Sequence, residues 1–506
     1  MASSSSSSSN IKIKSGPIDG DVLWMQAKHV SEHVWNGEED RKLHIRRAVP
    51  TYQGEEEIPE EIIPLLRQCS FYWIIKMGYL KINASLITAL IERWRPETHT
   101  FHMRCGECTI TLQDVSVLLG MCVDGAPLIG QTNLDWAELC EELLGVRPQE
   151  GELQGSVVKL SWLSHHFSHI NNHDGGVLFV DKSSSKVSLR YQQFLRDFEQ
   201  CSTYAWGPAV LAYLYREMCS ATDYKIKSIG GMCILIQMWA WERCTTLAPK
   251  RTPPVIQNKP LGHRWLQRGN QHIENDDLIV FRRKLDIMKR HEFLWEPYTA
   301  TVMSSLPPIC LVGSVAWCAV VPLICFHVVE WHQPDRVLRQ FGMQQPIPEC
   351  PSQPLNIHGL TLKGKQSENW FQLLAPMISQ WNNRVEFRVD VYPRQEGLLS
   401  FNSDYMVWYR RKTKMFVDPN NAKTATLQHD APMVTPDAPL APQWNVPGAI
   451  PDMGDLLGVD LRQEFSAEAE EVQPARHHDR RNPDRQARRW DRPCGTSSRH
   501  HRHDNE

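Results

Sequence analysis

The stretch RWRPETHTFHMRCGECTITLQDVSVLLGMCVDG, residues 93–125, decides how the chain is read. It holds His99, His102, Cys105 and Cys108 at three-residue intervals, a spacing that invites a zinc site. The surrounding residues argue against one. THTFHM is rich in Thr and aromatic side chains, residues 104–107 carry Gly106, and CTIT follows, which reads as strand, tight turn, strand. Next, Thr111 can cap a helix with Asp114 at its third position, and Gly120 ends it. Side chains alternate faces along a strand, so His99 and His102 point to opposite sides. Tetrahedral zinc needs four atoms at about 2.0–2.3 Å from one centre, which a regular hairpin does not deliver. Cys105 and Cys108 could still meet as in a zinc knuckle, but no further Cys or His pair follows before Cys122 and Cys140, both in helical pattern. The expectation is a structural hairpin–helix unit with no metal and no catalytic residue.

Composition places this unit in a large folded body. Of 506 residues, 42 % are hydrophobic and 22 % charged, and the 18 tryptophans supply material for an extensive core. A net charge of −3 excludes a uniformly basic nucleic-acid binder. The 14 cysteines form no disulfide framework; Cys69, Cys219, Cys233, Cys310, Cys318 and Cys325 sit in apolar runs as small hydrophobes. Met1 leads into the serine run Ser3 to Ser9 with no apolar stretch behind it, so no export signal is read. Residues 306–329 contain no Asp, Glu, Lys or Arg and are long enough to span a bilayer. Three prolines, His327 and the lack of basic flanks favour a buried helix pair broken near Pro322 instead. No membrane association is expected.

The fold class expected is mainly α: a large single helical domain, with a small β-hairpin, few short strands and disordered tails. Residues 1–17 read as a disordered Ser-rich terminus, 18–421 as the helical body, 422–473 as a Pro-rich linker and 474–506 as a disordered Arg/His-rich tail. NASLITALIERWRP puts Leu86, Ile87, Leu90, Ile91 and Trp94 on one helical stripe, capped by Asn83 and stopped at Pro96. GGMCILIQMWAWERC is apolar nearly all round and reads as a buried helix. WFQLLAPMISQWNNR and DRVLRQFG supply further helical faces, while VEFRVDVY from Val385 and VLFV from Val177 read as strands. In SHHFSHINNHDG, His165, His169 and His173 share a helical face beside His166 and Asp174, but the run reads as a solvated helix end.

Enzymatic machinery is missing from the sequence. There is no metallophosphatase run of the GDxHG, GDxxDRG or GNHE kind, no phosphate loop, no HExxH and no GxSxG elbow. Arginines in RWRPETH and DRVLRQFG are expected to pair with Glu97 and Asp335 and to lay their stems on Trp94 and Trp331. The tail carries nine arginines against five acids from Pro474 onward. Arg480, Arg481, Arg485, Arg488 and Arg489 are candidates for nuclear import or non-specific nucleic-acid contact, tempered by Asp479, Asp484 and Asp491.

Residues 93–125 resemble the signature of the plant mobile domain, which occurs in the MAINTENANCE OF MERISTEMS family, in long-form relatives of a plant serine/threonine phosphatase and in plant transposable elements. GPIDGDVLWMQAKHVSEHVWNGEE, GGMCILIQMWAWER, FLWEPY, VEWHQPDRVLRQFGMQQPIP and YMVWYRRKTKMFVDP follow the family order over about residues 16–420, and PCGT is similar to a tail element. The resemblance implies structural roles for four residues: His102 as a buried hydrogen-bonded histidine, Gly106 and Glu107 at the turn, and Asp114 at the helix cap. It also implies a non-enzymatic nuclear protein without cofactor. Such a protein would be an interaction module in transposon silencing, genome stability and meristem maintenance, or a transposon-encoded copy. Its implied partners are other nuclear proteins, among them a phosphatase of the type fused to this domain elsewhere. A direct nucleic-acid binder descended from a transposase accessory protein, and an undetected enzyme, are the competing readings.

Overall fold

Asn83 sets the first of the elements around the decisive stretch. Its side chain accepts from Leu86 N at 2.9 Å and starts the helix Ala84–Ile91, whose residues from Ser85 onward are buried. The computed structural model describes residues 16–45, 58–77, 80–166, 186–250, 252–266, 277–349, 357–362, 365 and 368–428. The serine-rich start, most of the linker, the arginine tail from Arg480 to Arg489, the VLFV run, His169 and His173 lie outside the described residues. The described residues all belong to one unit, Met1–Asp437.

The helix ends at Ile91, earlier than the Pro96 expected. Trp94–Arg95 instead forms a strand antiparallel to Thr100–Met103, pairing Trp94 with Phe101 and Arg95 with Thr100. Helical spacing placed Trp94 on the stripe. Packing overrides it, because the indole, fully buried, meets the rings of Phe101 at 4.9 Å and Tyr215 at 5.1 Å. Thr100–Met103 then pairs with Gly106–Cys108, His102 opposite Glu107, across a two-residue turn. The expected hairpin is present, with a tighter turn than CTIT implied.

The cap that follows is as expected. Thr111 and Asp114 form a reciprocal capping box on the helix Leu112–Leu119, and Gly120 closes it at φ 69°. This helix, buried nearly throughout, is the hub of the core. It packs against the helices Trp206–Ala221 and Cys233–Arg243 and the turn Leu261–Leu266. Cys233–Arg243 is buried on nearly every side, as its sequence implied.

Residues 306–329 are core, but not a helix pair. They make two 3-10 turns, Pro308–Leu311 and Ser314–Cys318, and then a hairpin of Val321–Cys325 with Val328–His332. A short, continuously apolar run does not distinguish a buried strand from a buried helix by period, and the Val and Ile side chains here favour the strand. The helices Trp206–Ala221 and Ala375–Asn382 pack on this hairpin, so no alternation survives. No helix among the described residues is long and apolar enough to cross a membrane. VEFRVDVY is likewise not a strand: it gives the turn Arg384–Phe387, a single bridge from Arg388 to Ala319, and exposed Val385 and Val391. DRVLRQFG becomes a kinked 3-10 segment, Pro334–Phe341, with Val337 out of helical geometry. The run WFQLLAPMISQWNNR gives two helices, Trp370–Leu373 and Ala375–Asn382. The last described helix, Pro419–Gln428, continues past residue 421.

A satellite cluster of Trp136, Leu139, Cys140, Val158, Trp162, Leu163 and Leu189 lies beside a small antiparallel sheet of Leu153–Gln154, Val157–Lys159 and Lys186–Ser188. The twelve described cysteines are all free thiols, eleven of them buried.

The ends of the central helix give a stability test. Thr111→Ala is expected to cost about 1–2 kcal/mol through the lost cap. Gly120→Ala should cost more, since its Cβ would stand 2.6 Å from Pro260 Cγ and 2.8 Å from Trp73 Cδ1, at a left-handed φ. Urea midpoints ranked the other way would show that these caps do not govern the core.

Candidate functional site

The four signature residues singled out by the sequence all lie inside the protein. Glu107, opposite His102 on the hairpin, takes a two-point grip from Arg336: Nε to Oε2 at 2.7 Å and Nη2 to Oε1 at 2.8 Å. Glu107 N donates to Tyr405 Oη at 3.0 Å. Gly106 sits at φ 130°, which disfavours any other residue, and a Cβ there would also lie 2.9 Å from Arg339 Nη1 and 3.3 Å from Tyr405 Oη. Arg339 in turn donates to Cys105 O at 2.6 Å and stacks its guanidinium over Trp295 at 3.6 Å. Asp114 caps its own helix and also accepts from Arg243 Nη2 at 2.9 Å and Tyr298 Oη at 2.6 Å.

This arrangement accounts for the ordered motifs that accompany the stretch. GGMCILIQMWAWER supplies Arg243, FLWEPY supplies Trp295 and Tyr298, VEWHQPDRVLRQFG supplies Arg336 and Arg339, and YMVWYRRKTKMF supplies Tyr405. The lead-in contributes His29, whose Nε2 donates to Trp94 O at 2.7 Å. The arginines do not pair as their neighbourhoods suggested. Arg336 takes Glu107 in place of Asp335, and Arg93 takes Asp286, which also accepts from Val417 N, Asp418 N and Asn421 Nδ2. Arg95 donates to Gln26 Oε1 at 2.9 Å, while Glu97 accepts from Met25 N at 2.8 Å. Arg282 clamps Glu92 through two contacts of 2.7 Å. Glu107, Asp286 and Glu92 are thus each engaged by a buried guanidinium, and the pairs tie distant elements together.

Two buried histidines, His29 and His102, are held neutral chiefly by burial. His29 Nδ1 accepts from Ser31 N at 3.1 Å while Nε2 donates, a pattern that only the uncharged ring satisfies. Burial, then the charge of Arg95, pushes His29 well below the usual imidazole range. His102, hydrogen-bonded through Nδ1 to Thr413 Oγ1 at 2.8 Å, is pushed down in the same way, by burial first and Arg95 and Arg336 next.

The suspected tetrad comes apart. His102 turns to Thr413, burial raises the Cys105 thiol to about 11 and pushes that of Cys108 well above its ordinary range, and Cys108 Sγ donates to Phe101 O at 3.7 Å. His99 goes elsewhere. Its Nδ1 lies 2.9 Å from Trp331 O and its Nε2 2.8 Å from Glu330 Oε2. Glu330 is also held by Arg216 and reached by His358 Nδ1 at 3.2 Å, and interactions with these partners hold its carboxyl far down the acid range against the opposing effect of burial. Sequence reading missed this cluster. Glu330 stood in a recognised motif, but nothing local ties it to a residue 231 positions away. Of the helical histidine run, His165 and His166 close the helix Leu160–His166, and His166 Nδ1 bonds Trp162 O at 2.9 Å.

The plant mobile domain family model matches residues 70–410. Among proteins of Arabidopsis thaliana, the chain is similar to Protein MAINTENANCE OF MERISTEMS, 33 % identical over 440 residues that cover 81 % of this chain and 88 % of that protein. It is similar to Protein MAIN-LIKE 1, 32 % identical over 417 residues, 78 % of this chain and 79 % of the relative. Serine/threonine-protein phosphatase 7 long form homolog is 37 % identical over 446 residues, 82 % of this chain but 33 % of the relative. The chain therefore spans about a third of the phosphatase-named relative's length. No solved structure matches.

Two outcomes follow from the buried charges. Glu107→Gln should destabilise by about 3–5 kcal/mol because Arg336 is left as a buried, uncompensated cation. Glu107→Leu combined with Arg336→Leu should recover a large part of that loss; a double variant no better than the single one would refute the pairing. For pH, the sign is set by His29 and His102, whose folded pKa values lie below the unfolded value of 6.5. Above 6.5 both states are neutral and nothing changes. Below it the unfolded chain takes up protons that the folded rings refuse, so stability is lost as pH falls, at up to about 1.4 kcal/mol per pH unit for each ring. Denaturation between pH 7.5 and 5 should show this slope, reduced by one ring's share in His29→Gln.

Proposed function

Because the chain belongs to the plant mobile domain family, we propose that it is a non-enzymatic interaction module acting in the nucleus, in meristem maintenance and the silencing of transposons. One observation carries the reading: the match to Protein MAINTENANCE OF MERISTEMS extends over 88 % of that relative. The physical arrangement supports the same view. Arg93, Arg95, Arg243 and Arg336 are among the most deeply buried side chains, which removes them from any phosphate-binding face. Recognition then belongs to the outer surface, where Phe371, Val385, Val391, Leu398 and Phe401 are each more than half exposed. Exposed apolar side chains of this kind are the material of protein–protein contacts. The partners proposed are nuclear proteins, with a phosphatase of the type named in the longer relative as the first candidate. The tail arginines Arg480, Arg481, Arg485, Arg488 and Arg489 are assigned to nuclear retention through salt-sensitive contact with polyanions.

The test is affinity purification of the full chain from dividing plant tissue, with and without nuclease. Partners should survive nuclease, persist when residues 474–506 are deleted, and fall away in the double variant Val391→Asp, Phe401→Asp. The tail deletion should lower nuclear accumulation. Recovery that is abolished by nuclease would favour the nucleic-acid-binding reading, and partners lost with the tail alone would overturn the assignment of recognition to the body.

A further inference from the structure

Four side chains with metal-binding donor atoms converge within the described body, each from a different element. His99 comes from the turn before the strand Thr100–Met103, and Cys219 from the last turn of the helix Trp206–Ala221. Glu330 comes from the strand Val328–His332, and His358 from the short turn Ile357–Gly359. One donor atom from each lies within 4.8 Å of all the others. His99, Cys219 and Glu330 are buried, and the His358 side chain is 29 % exposed. We propose that His99, Cys219, Glu330 and His358 form a structural zinc site that pins the His358 turn to the core.

The donor set selects the ion. Two imidazole nitrogens, one thiolate sulfur and one carboxylate oxygen suit zinc, whereas calcium and magnesium take oxygen ligands almost exclusively. Four protein ligands fill a tetrahedron and leave no open position, which makes the site structural and not catalytic. At bond lengths of about 2.0–2.3 Å, tetrahedral ligand atoms stand roughly 3.3–3.8 Å apart. The cluster therefore needs its longest edge shortened by about 1 Å and the 2.8 Å approach of His99 to Glu330 slightly opened.

The surroundings are those of a ligand shell. His99 Nδ1 donates to Trp331 O at 2.9 Å, which leaves Nε2, the nitrogen 2.8 Å from Glu330 Oε2, as the one that binds the ion once it has given up its proton. Metal-binding histidines characteristically make this outer hydrogen bond to a carbonyl or carboxylate. Trp94 Nε1 donates to Cys219 Sγ at 3.3 Å, a contact that favours negative charge on sulfur. Arg216 holds Glu330 Oε1, leaving Oε2 to bind the ion through one oxygen. His99 reaches the cluster from a left-handed backbone, φ 50°, a conformation retained where surroundings enforce it. The Cys219 thiol must give up its proton on binding, so zinc uptake releases protons and strengthens with pH.

The site differs from the tetrad suggested by the sequence, sharing only His99, and the experiment separates the two. Full-length protein, produced with zinc and exchanged into metal-free buffer, should retain about one zinc per chain by mass spectrometry of the metal. Cobalt substitution should give tetrahedral visible bands together with a thiolate-to-cobalt band in the near ultraviolet. Cys105→Ser and Cys108→Ser should keep the metal. Cys219→Ser should lose the thiolate band, and His358→Ala should weaken zinc binding by more than about tenfold. His358→Ala is the safeguard against misfolding, since its side chain lies at the partly exposed end of the cluster. Folded wild-type protein that binds neither zinc nor cobalt would overturn the proposal. So would zinc retained at full affinity in His358→Ala, or lost on Cys105→Ser or Cys108→Ser.

Discussion

A carboxylate or guanidinium taken out of water without an opposite charge costs several kcal/mol, and this domain takes out several of each. The constraint organises the structure. Glu92, Arg93, Glu107 and Asp114 all lie in or beside one hairpin–helix segment, and all are buried. None finds its countercharge inside the segment. Arg282 answers Glu92 from 190 residues away, Asp286 answers Arg93 from 193, Arg336 answers Glu107 from 229 and Arg243 answers Asp114 from 129. The segment is consequently unstable as a buried object until three other parts of the chain have arrived in register: the helix Leu278–Ile287 with Arg282 and Asp286, the helix end at Arg243, and the turn with Arg336. A buried ion pair adds little net stability over a well-packed apolar pair, but a mismatched one is heavily penalised. These pairs therefore act chiefly against wrong arrangements. An alternative packing of the surrounding helices that buried the same apolar area would strand at least one charge.

What was legible in the sequence follows from the range of the interaction responsible. The Asn83 cap, the Thr111–Asp114 box, the Gly120 stop and the hairpin turn at Gly106 are settled within a few residues, and local patterning shows them. The Cys233–Arg243 helix was legible because an all-round apolar surface has one consequence, burial. Trp94 was misplaced because its indole is positioned by Phe101 and Tyr215, not by its neighbours along the chain. The 321–332 hairpin was read as helix for a related reason. Covered by helices, a buried strand has no solvated side, and the alternation that identifies strands disappears. VEFRVDVY shows the converse, an alternating pattern without a sheet to receive it.

The arginines were harder still. Proximity suggested Asp335 for Arg336 and Glu97 for an arginine of RWRPETH, yet the first guess failed because a bidentate grip on Glu107 satisfies two donors at once in a dry environment. Glu97 is no hydrogen-bonded partner either: burial raises its pKa, with the nearby charge of Arg95 opposing, while the hydrogen bonds of Arg95 go to Gln26 and Ser31. Sequence identifies which charges will be buried through their apolar context. It does not identify the partner, because partner choice is a property of the assembled core.

The two carboxylates facing the hairpin region show how environment divides one chemistry into two. Glu107 and Glu330 are both fully buried, both gripped by an arginine, and both near a histidine of the same H-x₂-H pair. Around Glu107 the remaining neighbours are hydroxyls and a bidentate guanidinium, and His102 stands 3.9 Å away with its Nδ1 committed to Thr413. The oxygens of Glu107 accept from Arg336 Nε and Nη2 and from Thr100 Oγ1 at 3.5 Å, all ordinary hydrogen-bond donors. Around Glu330 the guanidinium holds one oxygen, while two imidazoles and a thiol face the carboxylate. A thiol contributes almost nothing as a hydrogen-bond partner for a carboxylate, and its burial beside negative charge raises its pKa further. The presence of sulfur where two nitrogens and an oxygen already converge is the feature that separates a coordination shell from an ion-pair network. His99, which precedes the strand at φ 50° and turns to Trp331 and Glu330, and His102, which turns to Thr413, thus belong to different chemistries although they are three residues apart.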